Sequence, residues 1–402
     1  MSHYDDLETR SQDEREAAQL AELKKQLAQV EAAPGSCLAP GSLGSLAELS
    51  TLPVLRKSQL GEWQAAQRPF GGIRVSNVAQ IFQSPGPIYE PGGVSRDWWR
   101  MGRFLHACGI GTSDIVQNCF GYHLTPAGHI FENGARAVGA VVIPAGTGQT
   151  DLQVRAAADL GSTAYAGTPD YLKVILDRAE EMGESLSFTR AAVGGGALFP
   201  SLRQEYADRG ITCLQSYATA DLGNIAYEAP NPGDPTAPPE GMIIDEGVIV
   251  EIVRPGTGDP VPEGEVGEVV VTSLNPDYPL IRFATGDLSA ILSGRSPCGR
   301  TNSRIKGWMG RADQTTKIKG MFVRPEQVAD LVARHPEIRR ARVVADREGE
   351  QDVMIVQVEA DGGHEGSWAE SVSAVLKLRG KIERVSSLPN DGLVIEDRRD
   401  YG

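Results

Sequence analysis

From Asp97 to Asp221 the sequence alternates short strand-like runs with longer helical ones, and nothing else in it limits the fold so strongly. "DIVQNCFG", "AVVIPAG", "STAYAG", "RAAVGGG" and "ITCLQSYA" read as strands. Between and before them, "DWWRMGRFLHACG", "TPAGHIFENGARAVG", "TDLQVRAAADLG", "TPDYLKVILDRAEEMG" and "ALFPSLRQEYADRG" read as helices. In the fourth of these Thr168 stands where a cap is wanted and Pro169 at the first helical position. Strands separated by whole helices are joined by crossovers, which predicts a mainly parallel, doubly wound sheet. Ligands of such sheets bind beyond the carboxyl ends of the strands. That rule alone selects Gly121-Tyr122-His123, Gly194-Gly195-Gly196 and Ser216 to Asp221.

Each of these places has a plain structural reading beside the functional one. Three glycines serve a tight turn, or they let a flat ligand approach the backbone. Phe120 and Tyr122 suit either the core or the wall of a ligand pocket, and His123 either the core or a place in that pocket. "SYATAD" is a strand end and helix cap, or a ligand-binding corner.

Flanking segments complete the predicted organisation. Residues 5–32 form a helix with Leu20, Leu23, Leu27 and Val30 on one stripe, which packs on its own domain or makes a dimer contact. "EAAPGSCLAPGSLGSL" breaks it. Gly71 to Gly93 gives a strand followed by a Gly/Pro loop. After the proline-rich Glu228 to Gly241, residues of about 242–312 change to a β-meander. The last ninety residues alternate strand, helix, hairpin, helix and strand. The expectation is therefore an α/β protein with a large doubly wound N-terminal domain, residues 1–312, including a helical lead-in over 1–33 and a β-rich part. A small α+β domain follows over 313–402.

Composition narrows the partners. With 39 basic and 53 acidic residues, the net charge of −14 argues against nucleic acid and anionic membranes as partners. The five cysteines, Cys37, Cys108, Cys119, Cys213 and Cys298, form no C-x-x-C pair. They are expected to be reduced thiols of a cytoplasmic protein. The opening residues are acidic and polar, unlike a signal peptide, and no apolar run reaches the ~18 residues that span a bilayer.

Function is carried by "YPLIRFATGDLSA" and "IKGWMGRADQTTKIKGMFVRP". Thr285-Gly286-Asp287 exposes a carboxylate at a strand end, where it can accept two hydrogen bonds from a vicinal diol such as a ribose. About 25 residues later the glycine-bounded "GRADQTTKIKG" precedes the last ninety residues. In this order the two motifs resemble the ribose-binding and hinge motifs of adenylate-forming enzymes. With "SPCGRT" between them, the resemblance is nearest to the phenylacetate–CoA ligase family and covers Asp97 to Asp391.

The resemblance implies ATP/AMP, Mg²⁺ and CoA as cofactors and a small, aryl or arylacetic acid as substrate. The acceptor thiol is that of CoA or of a separate carrier protein. It implies that Tyr217 stacks on adenine, that Gly194 to Gly196 lie at the adenine edge, and that Asp287 holds the ribose. Asp221 holds Mg²⁺, Arg311 serves the phosphate or ribose side, and Asp313 is the hinge. Lys319 and Gly320 line the CoA path. Ser84 and Gly86 are what suits a phosphate loop, and Thr219 is the hydroxyl available near the phosphate.

Several residues depart from the family pattern. Asp221 replaces a glutamate, and Ala218 and Ala220 replace a glycine and a hydroxyl. Pro85, Pro87 and Pro91 offer no N–H to a phosphate, and Glu90 brings the wrong sign. Leu393 follows Gly392 where the family carries the lysine that bridges acyl carboxylate and α-phosphate. Losing one such preorganised charge contact costs roughly 3–4 kcal/mol, about 10²–10³ in rate, unless Lys377 or Lys381 takes its place. The alternative function is accordingly a homologue that binds nucleotide or acyl-adenylate without efficient adenylation.

Overall fold

A computed structural model describes residues 3–31, 43–233, 237–312, 314–319, 321–348 and 351–399. It divides into two compact units. The first contains residues 1–250, 271–283 and 292–307; the second contains 251–270, 284–291 and 308–402. The second unit thus takes in part of the β-rich stretch as well as the last ninety residues. That division differs from one drawn at residue 313, and Asp313 itself lies outside the described residues.

In the first unit, five strands pair in parallel: Ile115–Asn118, Val141–Ile143, Ala164–Gly167, Arg190–Val193 and Thr212–Thr219. Ranked by chain position their spatial order is 2-1-3-4-5. The winding direction reverses after Ile115–Asn118, so the crevice of this sheet opens where Cys119 to Tyr122 and Thr168 emerge. Gly223–Tyr227 and Met242–Ile244 extend the sheet in antiparallel fashion. The predicted helices occur at Ala127–Ala137, Thr150–Leu160, Pro169–Met182 and Pro200–Asp208. They bury Val154, Leu172, Ile175 and Tyr206 against Tyr165, Ala191 and Val193 of the strands. Thr168 is the cap residue of its helix by position, but its hydroxyl makes no capping bond; Pro169 supplies the first-turn geometry.

Two expectations are corrected. "DWWRMGRFLHACG" is helical only over Gly102–Ala107. The Gly/Pro stretch after Val78–Ser84 is not an open loop, because Ile88–Gly93 pairs back on that strand as a hairpin. The glycines here are packing positions: a Cβ on Gly93 would lie 2.0 Å from the Trp98 ring. The lead-in helix, Gln12–Glu31, packs its stripe within its own unit, as the first of its two readings has it. Leu23, Leu27 and Val30 are buried against Leu43, Leu49 and Ile281. Arg15 anchors the start of this helix. Its guanidinium donates to Glu246 Oε1 at 2.9 Å, Thr301 Oγ1 at 2.8 Å and Asn302 Oδ1 at 3.3 Å; Glu246 and Asn302 are buried and Thr301 is half-buried.

The second unit holds the hairpin Ile338–Glu348/Gln351–Ala360, with Lys381–Val385 parallel to one arm. A further strand, Ile395–Asp397, pairs parallel to the other arm and was not expected from the sequence. Helices Pro325–Ala333 and Glu365–Leu376 cover this sheet through Val328, Leu331, Trp368 and Val372. Thr316–Ile318 and Met321–Val323 form a short hairpin with Lys319 at its tip.

Candidate functional site

The crevice of the first unit has an aromatic wall. Phe120 follows the strand Ile115–Asn118 and stacks on Phe131 of the next helix, ring centroids 4.2 Å apart and 26° from parallel. The glycine run after Arg190–Val193 closes on this pair. A Cβ on Gly194 would sit 3.4 Å from Phe131 Cζ and 3.1 Å from Ser216 Oγ, and one on Gly195 3.7 Å from Phe120 Cε1. Gly195 also has φ of +69°, so this turn needs glycine for backbone and for space. Tyr217 is buried on the neighbouring strand. Tyr122 accepts a hydrogen bond from Asn118 Nδ2 at 2.8 Å, and burial raises its phenol pKa.

His123, expected in the pocket, is exposed and has no hydrogen bond or ion pair among the described residues. His129 takes the inner position instead. Its ring lies 5.0 Å from Phe82 and 5.1 Å edge-on to Tyr122, and burial lowers its pKa despite nearby Glu132, which favours the neutral imidazole. Sequence reading missed His129 because a histidine inside a helix looks the same whether it faces a ring pair or solvent.

Beside this wall lies a buried polar cluster that the sequence did not assemble. Asp221, at the corner after Thr212–Thr219, has a side chain with no solvent exposure, and its Oδ2 accepts from Lys57 Nζ at 2.6 Å. Across the hairpin, Ser84 donates its hydroxyl to Glu90 Oε1. Burial, and then the Asp221 charge, push the Glu90 carboxyl up to about 7. Tyr278 completes the group; burial raises its phenol, helped by Asp221 and Glu90. Asp221 Oδ1, Glu90 Oε2 and Tyr278 Oη are all buried without a hydrogen-bond partner.

These contacts redirect three expected roles. Ser84 spends its hydroxyl on Glu90 and so is not presented to a phosphate. Gly86 is a turn residue of the hairpin, with φ of +152°. Asp221 does not fit as a Mg²⁺ ligand, because an ammonium already occupies its Oδ2 side. Among the described residues no group of three or more His, Cys, Asp or Glu is placed to hold a metal. Thr219 Oγ1 accepts the Leu222 N–H at 3.1 Å and holds the corner that carries Asp221.

In the second unit, Asp287 ends on the expected turn, with Gly286 at φ of +73°. Arg311 NH1 donates to Asp287 Oδ1 at 2.8 Å, and Trp308 Nε1 donates to the same oxygen at 3.1 Å. A Cβ on Gly286 would lie 2.7 Å from Arg311 NH2, so glycine is what lets the guanidinium lie across the turn. Asp287 and Arg311 also face each other in a backbone bridge. Arg311 is therefore the partner of the ribose-type carboxylate, with over half its side chain exposed. Lys319, at the exposed hairpin tip, donates its backbone N–H to Asp352 Oδ2 at 3.1 Å. Gly320, like Asp313, lies outside the described residues.

Leu393 lines a cavity of the second unit with Val266, Val328, Val332 and Leu388, beside Arg254, Glu265 and Arg340. Its segment is gripped by Gln314, whose Nε2 donates to Gly392 O at 2.9 Å. The Oε1 of the same amide accepts from Val394 N at 2.6 Å and Ile395 N at 2.7 Å.

Known proteins can be set against this geometry. The AMP-binding enzyme family matches residues 107–275. Phenylacetate–coenzyme A ligase of Escherichia coli K12 is 29% identical over 97% of this chain and 93% of that enzyme. The enzyme of the same name from Aromatoleum evansii is 29% identical over 88% of this chain and 83% of its own length. Residues 107–275 thus carry an AMP-binding domain, and over most of its length the chain is similar to phenylacetate–coenzyme A ligases. The chain also shares its fold with 2-hydroxyisobutyryl-CoA ligase, solved in complex with 2-HIB-AMP and CoA. The TM-score is 0.69 at 23% identity, covering 94% of this chain and 89% of that one. Its similarity to these ligases over most of its length makes the chain an acid–thiol ligase by class. Among its described residues no helix is long and apolar enough to cross a membrane. Cys108, Cys119 and Cys213 are buried free thiols and Cys298 is a partly exposed one; Cys37 lies outside the described residues.

Proposed function

We propose that this chain joins a carboxylic acid, of the aryl or arylacetic class, to coenzyme A through an acyl-adenylate. The acid carboxylate attacks the α-phosphorus of ATP and pyrophosphate leaves. The CoA thiolate then attacks the acyl carbon and AMP leaves. The observation that carries this reading is Asp287, a carboxylate fixed by Arg311 and Trp308 on a turn that Gly286 makes at positive φ. Two fixed donors on one oxygen aim the carboxylate, as recognition of a ribose diol requires.

In this reading Tyr217 and Gly194 to Gly196 take the adenine, and Phe120, Phe131, Tyr122 and His129 form the acid pocket. Its stacked, edge-on aromatic lining supports an aromatic acid. Lys319 and its hairpin serve the CoA path, and the segment beginning at 313 serves as the swivelling part. Lys377 and Lys381 are not invoked in place of Leu393.

A second reading, in which the chain binds nucleotide or acyl-adenylate without efficient adenylation, draws its support from Ser84, Glu90 and Leu393. A single-turnover mixture of protein, MgATP, CoA and a panel of aryl and short-chain acids, read by mass spectrometry, separates the two. AMP with an acyl-CoA is the expected result. Thioester obtained only from synthetic acyl-AMP and CoA would select a chain deficient in the first half-reaction. Tight AMP binding with no thioester from either mixture would refute ligation.

A further inference from the structure

Three buried oxygens without partners, on Asp221, Glu90 and Tyr278, meet in one cluster with the Ser84 hydroxyl. Buried oxygens without donors beside the Asp221 carboxylate call for a compensating positive charge, which a divalent cation or an ammonium can supply. The charge that compensates them belongs to the chain itself. Lys57 opens the helix Lys57–Ala66 and reaches a residue 164 positions away, placing Nζ 2.6 Å from Asp221 Oδ2. An ammonium has three N–H donors, and among the described residues one acceptor, Asp221 Oδ2, is set against them. The Lys57 side chain is 37% exposed while that of Asp221 has no exposure. One face of the ammonium is therefore tied inward and another is open to a ligand.

We propose that the Lys57 ammonium, seated on Asp221, stands in this site in place of a divalent cation and is the charge that meets the phosphoryl group of a bound adenylate. Lysine meets phosphate as a compact point charge. Fixing that charge on a fully buried carboxylate preorganises it, so it needs no metal to hold its place. Glu90 and the prolines of the hairpin, which offer a phosphate neither a cation nor an N–H donor, leave this contact intact. Naming the anion an adenylate rests on the ligase reading; the occupancy of Asp221 by lysine does not.

The test titrates Mn²⁺ into the purified full-length chain without nucleotide, following free Mn²⁺ by electron paramagnetic resonance. The wild type is expected to bind no more Mn²⁺ than Asp221→Asn. Lys57→Met, which empties the ammonium position at similar side-chain length, is expected to gain one Mn²⁺ per chain, at least tenfold tighter than the wild type. That gain should vanish in the Lys57→Met/Asp221→Asn double variant. Should Lys57→Met not fold, Lys57→Gln carries the same expectation. A wild-type Mn²⁺ site removed by Asp221→Asn would overturn the proposal, as would a folded Lys57 variant that gains none.

A calorimetric arm with AMP reads the phosphoryl contact. Wild-type affinity should agree within about twofold between EDTA and Mg²⁺. Lys57→Met should bind at least tenfold more weakly in EDTA and recover in Mg²⁺. Wild-type affinity that depends on Mg²⁺ would overturn the phosphoryl role. Absence of AMP binding under every condition would refute the ligase reading with it, while the Mn²⁺ titration would still decide which cation Asp221 holds.

Discussion

Glu90 is buried on the hairpin beside Asp221, and its carboxyl is held at about 7 against an ordinary value of 4.5. Because the folded value is raised, the native state binds this proton more tightly than the unfolded chain does. The stabilisation is complete below about pH 4.5 and is lost as pH rises toward 7, after which it stays lost. A shift of this size corresponds to about 3 kcal/mol. Glu90→Gln keeps the shape and an acceptor for the Ser84 hydroxyl but cannot ionise. The variant should therefore match the wild type near pH 5 and exceed it near pH 8. The first unit has roughly 280 residues, so its unfolding entropy of about 0.6 kcal/mol/K converts 3 kcal/mol into roughly 5 °C. Thermal melts of both proteins every half pH unit from 5 to 8.5 measure this. A difference in Tm that stays flat with pH would refute the argument, since only an ionisation confined to the wild type can make the two curves diverge.

Other perturbations have equally definite outcomes. Asp287→Ala removes the carboxylate that Arg311 and Trp308 orient; AMP affinity by calorimetry should fall by about 10- to 100-fold, the worth of one or two charge-assisted hydrogen bonds. Leu393→Lys restores a cation to a chain position that carries none, and single-turnover AMP formation should rise by about 10²-fold, with thioester formation from synthetic acyl-AMP unchanged. Arg15→Ala strips Glu246, Thr301 and Asn302 of a buried partner and should cost about 3–5 kcal/mol, read as a Tm lower by roughly 5–8 °C. Phe131→Ala leaves Phe120 without its stacking partner and should lower thermal stability by about 3–5 kcal/mol while raising KM for the acid.

The parallel sheet was legible because its signal is local: each strand and each helix carries its own period, and Pro169 marks one helix start. The Asp287 turn was legible for the same reason, since Gly286 and the carboxylate are adjacent. What escaped is non-local. Lys57 lies 164 positions from Asp221, and no spacing rule links a lysine at a helix start with a distant strand end. Trp308 is close in sequence to Arg311, yet an exposed tryptophan carries no sign that its indole N–H serves a carboxylate. The hairpin Val78–Ser84/Ile88–Gly93 was concealed by its own prolines and glycines, which read as loop; its pairing is held by contacts with Trp98 and Trp99 that only the fold supplies. The strand Ile395–Asp397 is three residues long, too short for a period to show. The second unit draws on three separate chain segments, which composition along the chain does not reveal.

Gln314 behaves as a rivet. One planar amide fastens residue 314 to Gly392, Val394 and Ile395, using both its oxygen and its nitrogen. A lever so fastened has no slack: a backbone rotation immediately ahead of Gln314 carries Leu393 with it, although 78 residues separate Gln314 from Gly392 along the chain. Stiffness of this sort turns a torsional change at one bond into a displacement at a distant residue, and cutting the rivet with Gln314→Ala would uncouple the two while leaving both segments in place.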